Sequence, residues 1–203
     1  MKQSYRSRFA FVLGWVWVAF TALNVFDLIV RYNGKPALVA LAVLAVLTAL
    51  VYVVALRPVT RFTEDALVGR NPLRTTAVPW ASVEEVTVSH SINVRHGAGE
   101  LLRLWTPVSS ARERARARRR GAAQPQRGRF RTEPTLTKGE QNAADALAGR
   151  THADWVGEQI TERAETARHR GKEPGPARVS WAYDSFAAIV LAVVMVVVAV
   201  AAG

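Results

Sequence analysis

The sequence reads PALVALAVLAVLTALVYVVAL from Pro36 to Leu56, and this stretch decides the class of protein. It contains no charged residue, and its polar groups are the Thr48 hydroxyl and the Tyr52 phenol. A helix that rises ~1.5 Å per residue needs ~20 residues to cross ~30 Å of hydrocarbon. Because this helix would be apolar on every side, lipid or a protein interior must surround it. Residues 36–56 are therefore predicted to span a membrane.

Two further apolar stretches, residues 9–30 and 186–202, have similar lengths. Trp181 and Tyr183 precede the second of these, and both residue types favour the headgroup boundary of a bilayer. A cleaved signal peptide is the alternative for residues 9–30, because the basic residues within 1–8 resemble a signal n-region. The apolar run is too long for that and lacks a small-x-small cleavage site, so a retained anchor is favoured. The chain is predicted to have three transmembrane helices.

The basic residues indicate the orientation of the chain. Residues 57–180 hold 22 of the 27 lysines and arginines, and residues 1–8 hold three more. Cytoplasmic segments are enriched in basic residues, so both regions are expected inside the cell. Only Arg31 and Lys35, in the predicted external hairpin, oppose this orientation. The preference for arginine over lysine, with abundant Ala and Val, is typical of a GC-rich bacterial genome, so a bacterial inner membrane is expected.

Residues 57–108 have the character of a small antiparallel sheet or partial barrel. A helical turn is predicted at 83–86, and the stretch from Gly97 to Glu100 has the length and glycine content of a hairpin connection. The predicted strands are 59–63, 66–70, 74–78, 86–90, 92–96 and 101–105.

Two segments of different character follow the predicted strands. Residues 109–150 form an Arg-rich insertion with few large apolar side chains, for which disorder or a labile helix is predicted. Residues 151–170 predict an amphipathic helix that covers the sheet. Its apolar face is expected to carry Trp155, Val156, Ile160 and Ala164. Residues 171–185 are predicted to be a linker to the last span.

This order of elements resembles the bacterial PH-like domain that follows a two-helix membrane hairpin. The resemblance is carried by Asn71-Pro72-Leu73-Arg74, Val78-Pro79-Trp80 with Val83 and Val86, the strand pair around Gly97–Gly99, and the helix that contains Trp155. It covers residues 36–108 and 151–169 and includes no catalytic residue. It implies a curved antiparallel sheet capped by one helix, a fold used to bind lipids, peptides or proteins. The chain departs from this pattern through its insertion and its third span.

The Arg-rich insertion contains the sharpest candidate site. Between Arg112 and Arg131 the basic residues are accompanied by a single acid, Glu113. Near an anionic leaflet each basic residue contributes ~1 kcal/mol of binding free energy, so contact with anionic lipid is one interpretation. A solvated linker that only enforces topology is the other. Nucleic-acid binding is not expected, because Phe130 alone is interleaved for base stacking. The candidate residues are Arg112, Arg114, Arg116, Arg118, Arg119, Arg120, Arg127, Arg129 and Arg131.

Other polar residues are weaker candidates. Asp27 lies four residues before Arg31, the order that favours a helical ion pair over a transport role, and Asn24 is expected to donate a hydrogen bond between helices. The histidines at 90, 96, 152 and 169 lack metal-ligand spacing, and the first two are expected at the surface. The tryptophans at 80, 105 and 155 are expected in the core. The chain has no cysteine, which excludes a disulfide framework and a thiolate site.

The sequence as a whole predicts an α+β membrane protein that is not an enzyme and uses no cofactor or metal. Its three transmembrane helices would carry a PH-like sheet, capped by one amphipathic helix, as a binding or scaffolding module. Membrane lipids and a membrane-protein partner are the expected contacts, and no small-molecule substrate is identified. A transporter or channel accessory subunit that uses Asn24 and Asp27 is the alternative. A purely structural subunit, recognised through Ala-rich helix faces, is another.

Overall fold

The computed structural model describes residues 3–108, 115 and 151–202. Three of its helices are long and apolar enough to cross a membrane, as the sequence predicts. They are α1 (Arg8–Val30), α2 (Lys35–Leu56, with a π-helical last turn at Tyr52–Leu56) and α4 (Tyr183–Ala201). Helix α3 (His152–His169) is shorter and amphipathic. Helix α4 begins at Tyr183 rather than Phe186, so the predicted linker is shorter than expected.

Helix α2 packs between the other two apolar helices. Its alanines at 42 and 49 are buried, as are Ala192 and Ala199 of α4. These small side chains let the backbones of α2 and α4 approach closely. Toward α1, Thr48 accepts a hydrogen bond from the Trp17 indole at 3.1 Å and lies 3.1 Å from the Thr21 hydroxyl. The prediction for Asn24 was wrong: its amide donates to the Phe20 carbonyl of its own helix at 2.8 Å. Side chains other than Asn24 therefore join α1 to α2.

Within the described residues, eight strands form two antiparallel sheets. The larger sheet has the order β1-β2-β3-β4-β8, and the smaller sheet has the order β5-β6-β7. The strands are β1 (Gln3–Tyr5), β2 (Val59–Phe62), β3 (Ala66–Arg70), β4 (Arg74–Pro79), β5 (Val83–Val88), β6 (Ser91–His96), β7 (Glu100–Val108) and β8 (Arg178–Trp181). The domain is therefore α+β.

The two sheets and α3 enclose one hydrophobic core. Alternate residues of the central strands face inward, among them Phe62 and Leu67 of the larger sheet and Ile92 and Leu104 of the smaller one, all fully buried. The inner faces approach so closely at Gly69 that a Cβ there would lie 2.8 Å from Leu104 Cδ2. Each large aliphatic side chain buried in this way contributes roughly 1.5–3 kcal/mol to the stability of the domain.

Helix α3 covers this core with its apolar face. Thr151 and Asp154 form a capping box, in which each side chain accepts a hydrogen bond from the other residue's backbone N–H. Val156 and Ile160 are fully buried, and Ala164 is 1% exposed, as the periodicity predicts. Trp155 is instead 37% exposed and packs at the edge of the core against the Tyr5 ring, with 6.0 Å between ring centroids.

Several local predictions were wrong. The helical turn lies at Trp80–Ser82, and residues 83–86 begin β5 instead. His96 is 3% exposed rather than at the surface, and Trp105 is 44% exposed rather than in the core. Strands β1 and β8 join the larger sheet at its two edges, although the sequence predicted neither of them.

Candidate functional site

The apolar helices meet the larger sheet at one end, which we call the junction. Strand β1 leads into α1 through Arg6 and Ser7, α2 leads into β2 through Arg57 and Pro58, and β8 leads into α4 through Ala182 alone. The antiparallel register places the last residues of β1 and β8 and the first residue of β2 at the same end of the sheet. Connections of one or two residues leave little freedom, so the sheet is held against the ends of the three helices.

The side chain at the centre of the junction is Arg57, whose exposed fraction is only 2%. Its Nε donates to both carboxylate oxygens of Asp184, at 3.1 Å each. Its Nη2 donates to Thr75 Oγ1 at 3.1 Å, and its Nη1 donates to the Asn71 carbonyl. A buried guanidinium is tolerated only when its charge and its donors are matched, and these partners provide that match.

Asp184 receives two further donors in addition to Arg57. The Tyr52 hydroxyl donates to Oδ2 at 3.0 Å, and Arg70 Nη2 lies 3.3 Å from the same oxygen. These residues come from α2, β3 and α4, and Arg57 from the link between α2 and β2. The carboxylate therefore joins two apolar helices to the sheet.

The turn between β3 and β4 contacts the start of α4 through its backbone. The Ser185 hydroxyl donates to the Pro72 carbonyl at 2.7 Å, and the Ala182 N–H donates to the Leu73 carbonyl at 3.0 Å. The amide of Asn71 binds the backbone of β7 at Arg103 and Trp105. The Asn-Pro-Leu-Arg stretch thus connects the larger sheet to both the smaller sheet and α4.

A group of three arginines lies beside this network. Arg6 follows Tyr5, which pairs with Thr60, so Arg6 continues the cross-strand row of Val59 and its partner Arg70. Burial lowers the pKa of Arg6 from its usual value, and repulsion from Arg61 and Arg70 lowers it further. Arg6 is therefore close enough to Arg61 and to Arg70 for their positive charges to repel its own. Arg6 also stacks on the Phe11 ring, 4.6 Å from its centroid.

The residues of the junction suit two roles: they fix the apolar helices to the sheet, and they could bind an anion. Arg57 and Asp184 fix the helices, whereas Arg6 and Arg61 form no ion pair with any described residue. Within residues 3–108 and 151–202, no group of three or more His, Asp or Glu side chains could hold a metal ion.

The residues singled out from the sequence lie apart from the junction. The candidate arginines from Arg112 to Arg131 lie outside the described residues. The predicted pair of Asp27 and Arg31 is present at 3.1 Å, with both side chains largely exposed. His96 Nδ1 lies 3.8 Å from Glu100, and the rings of His152 and Trp155 are stacked.

Sequence reasoning missed the Arg57–Asp184 pair. The signal was present, because Arg57 directly follows one apolar stretch and Asp184 lies two residues before another. Their separation of 127 residues in the sequence gave no reason to pair them. Comparisons with protein families, with curated proteins and with solved structures find no match for this chain.

Proposed function

We propose that this chain is a non-enzymatic membrane protein whose β-rich domain is PH-like and acts as a binding or scaffolding module. The junction is the observation that carries this proposal. Three connections of one or two residues, together with the buried Arg57–Asp184 pair, hold the domain in one orientation relative to the apolar helices. A domain held in this way presents one fixed surface to molecules at or in the same membrane.

The arrangement of sheets supports the PH-like interpretation. Strands β2–β4 and β5–β7 follow one another as two antiparallel groups of three, and α3 covers the core between them. The sequence resemblance implies a curved antiparallel sheet capped by one helix, and antiparallel strands covered by α3 are consistent with it. Strands β1 and β8 extend the larger sheet at its edges, where the chain enters and leaves the apolar helices.

The outer face of the smaller sheet is the best candidate for a partner surface. Leu101 is 64% exposed and Trp105 is 44% exposed, and both lie on this face of β7. Arg95 of β6 pairs directly with Leu101. Exposed aromatic and aliphatic side chains next to an arginine are typical of protein interfaces.

The proposal also includes a location in the bacterial inner membrane with the domain on the cytoplasmic side. The distribution of basic residues supports this location.

Site-specific photo-crosslinking in native membranes tests the function. A photoreactive residue in place of Arg95 should yield one discrete adduct with another protein, identified by mass spectrometry. Leu101→Ser should lower the yield of this adduct several-fold. A few side chains that become buried when two proteins associate carry much of the binding energy of an interface. Val179→Ser is the matched control, because Val179 is also apolar and 59% exposed but lies on the other sheet.

Two results would count against the proposal. One is an absence of protein adducts when the photoreactive residue replaces Arg95 or Glu165, an exposed position on α3. The other is an equal loss of the adduct in the Leu101→Ser and Val179→Ser variants, which would show that the adduct does not depend on the smaller sheet.

A further inference from the structure

We propose that Arg6, Arg61 and Arg70 bind the phosphate group of an anionic phospholipid whose acyl chain lies in the groove between α1 and α2. This site depends on the position of the junction at a membrane and is independent of any protein partner of the domain.

The sheet register brings the three arginines to one face. Arg61 pairs with Ser4 and Val68, two rows of residues beyond the row that contains Val59 and Arg70. Side chains two residues apart on a strand point to the same face, so Arg61 and Arg70 lie on the outer face, away from the core. Arg6 continues the row of Arg70 at the edge of the sheet. The outward positions agree with the exposure of Arg61 and the partial exposure of Arg70.

The positive charge of this group is not balanced within the described residues. Asp184 is the carboxylate that contacts Arg70, and the same carboxylate already binds the buried Arg57. Asp184 thus pairs with two of the four guanidinium groups here, whereas Arg6 and Arg61 form no ion pair within the described residues. The Nε of Arg6 is buried and has no hydrogen-bond partner in the described part of the chain. A phosphate oxygen is an acceptor that suits such a donor, because guanidinium binds phosphate with charge-assisted hydrogen bonds.

An apolar groove, whose lining begins at Phe9, three residues after Arg6, indicates a lipid rather than a soluble phosphate. Arg6 lies two residues before the start of α1, at the depth expected for headgroups. The groove has a volume of about 550 Å³ and runs along the domain-side half of α1 and the end of α2. Its walls are almost entirely apolar and include Phe9, Leu13, Trp17, Val51 and Ala55. A phosphate at the arginines and an acyl chain in this groove are the two parts of one phospholipid.

Lipid retention by the full-length protein tests this site. The protein is placed in nanodiscs that contain phosphatidylglycerol and phosphatidylcholine in equal amounts and is then released for native mass spectrometry. We expect preferential retention of phosphatidylglycerol. Arg61→Gln and Arg6→Gln should each lower that retention about fivefold, the contribution of one basic residue near an anionic surface.

Arg178→Gln is the matched control for Arg61→Gln. Arg178 is exposed and lies in the same cross-strand row as Arg61, at the opposite edge of the sheet. The control should retain phosphatidylglycerol like the unmodified protein. Since Arg61 is exposed, its substitution should leave the fold intact, and an unchanged unfolding temperature verifies this.

Two outcomes would overturn the site. Equal retention of phosphatidylglycerol by the Arg61→Gln, Arg178→Gln and unmodified proteins would show that the three arginines do not select the lipid. Displacement of the retained lipid by excess inorganic phosphate would show that the arginines bind soluble phosphate without help from the groove.

Discussion

At the scale of single residues, two Asp–Arg pairs near the apolar helices differ in their surroundings. Arg31 and Asp27 are 80% and 59% exposed, and an ion pair of this kind contributes about 0–1 kcal/mol because water and salt screen it. Arg57 is 2% exposed, and its loss of hydration must be offset by its partners. The Asp27–Arg31 pair therefore contributes little to stability, whereas the Asp184–Arg57 pair is needed to stabilise a buried charge.

Substitution of Asp184 by Asn tests this difference. The change keeps the size of the side chain but leaves the buried Arg57 without its carboxylate, so we expect a loss of about 2 kcal/mol in the free energy of unfolding. Tryptophan fluorescence during denaturant unfolding of the full-length protein in detergent would measure the loss. Asp27→Asn is the matched control and should change the same quantity by less than about 0.5 kcal/mol. Equal losses in the two variants would refute the structural role of Asp184.

At the scale of secondary structure, local patterns predicted most of the fold. The spans were visible because each is a long apolar run, and β2, β3, β4, β6 and β7 were found from short apolar segments between turn residues. Strands β1 and β8 were not visible. They have three and four residues, are mostly exposed, and are formed through pairing with β2 and β4, which are distant in sequence. The junction depends on these strands, so it too could not be predicted from local sequence.

The contact between α3 and β5 predicts that replacing a helical glycine by alanine has the opposite of its usual effect. Gly→Ala inside a helix normally stabilises it by about 1 kcal/mol. At Gly157, however, an added Cβ would lie 2.5 Å from Val88 Cγ2, and the β-branched valine has little freedom to move. We therefore expect Gly157→Ala to lower the free energy of unfolding by about 1–2 kcal/mol.

A double substitution distinguishes this clash from other causes. In a Val88→Ala background the obstructing methyl group is gone, so Gly157→Ala should become neutral or stabilising. The four proteins of the cycle would be compared by denaturant unfolding under identical conditions. If Gly157→Ala were equally destabilising with valine or alanine at position 88, the packing explanation would be wrong.

At the scale of the whole molecule, the junction determines which parts of the chain share a side of the membrane. The start of α1, the end of α2 and the start of α4 all meet the larger sheet, so the domain lies on their side. We therefore expect the turn around Asn33 and the end of α4 on the opposite side. The basic residues favour the cytoplasm for the domain, because 22 of 27 lie within residues 57–180.

Cysteine labelling tests this arrangement directly, because the chain has no cysteine of its own. In intact bacterial cells whose outer barrier admits the reagent, a membrane-impermeant maleimide should label Asn33→Cys and Ala202→Cys. Glu165→Cys, on the exposed side of α3, should be labelled only after the cells are lysed. The reverse pattern would retain the three-helix arrangement but place the domain outside the cytoplasm. Labelling of Asn33→Cys and Glu165→Cys from the same side would contradict the arrangement itself, because α1 and α2 would then not cross the membrane.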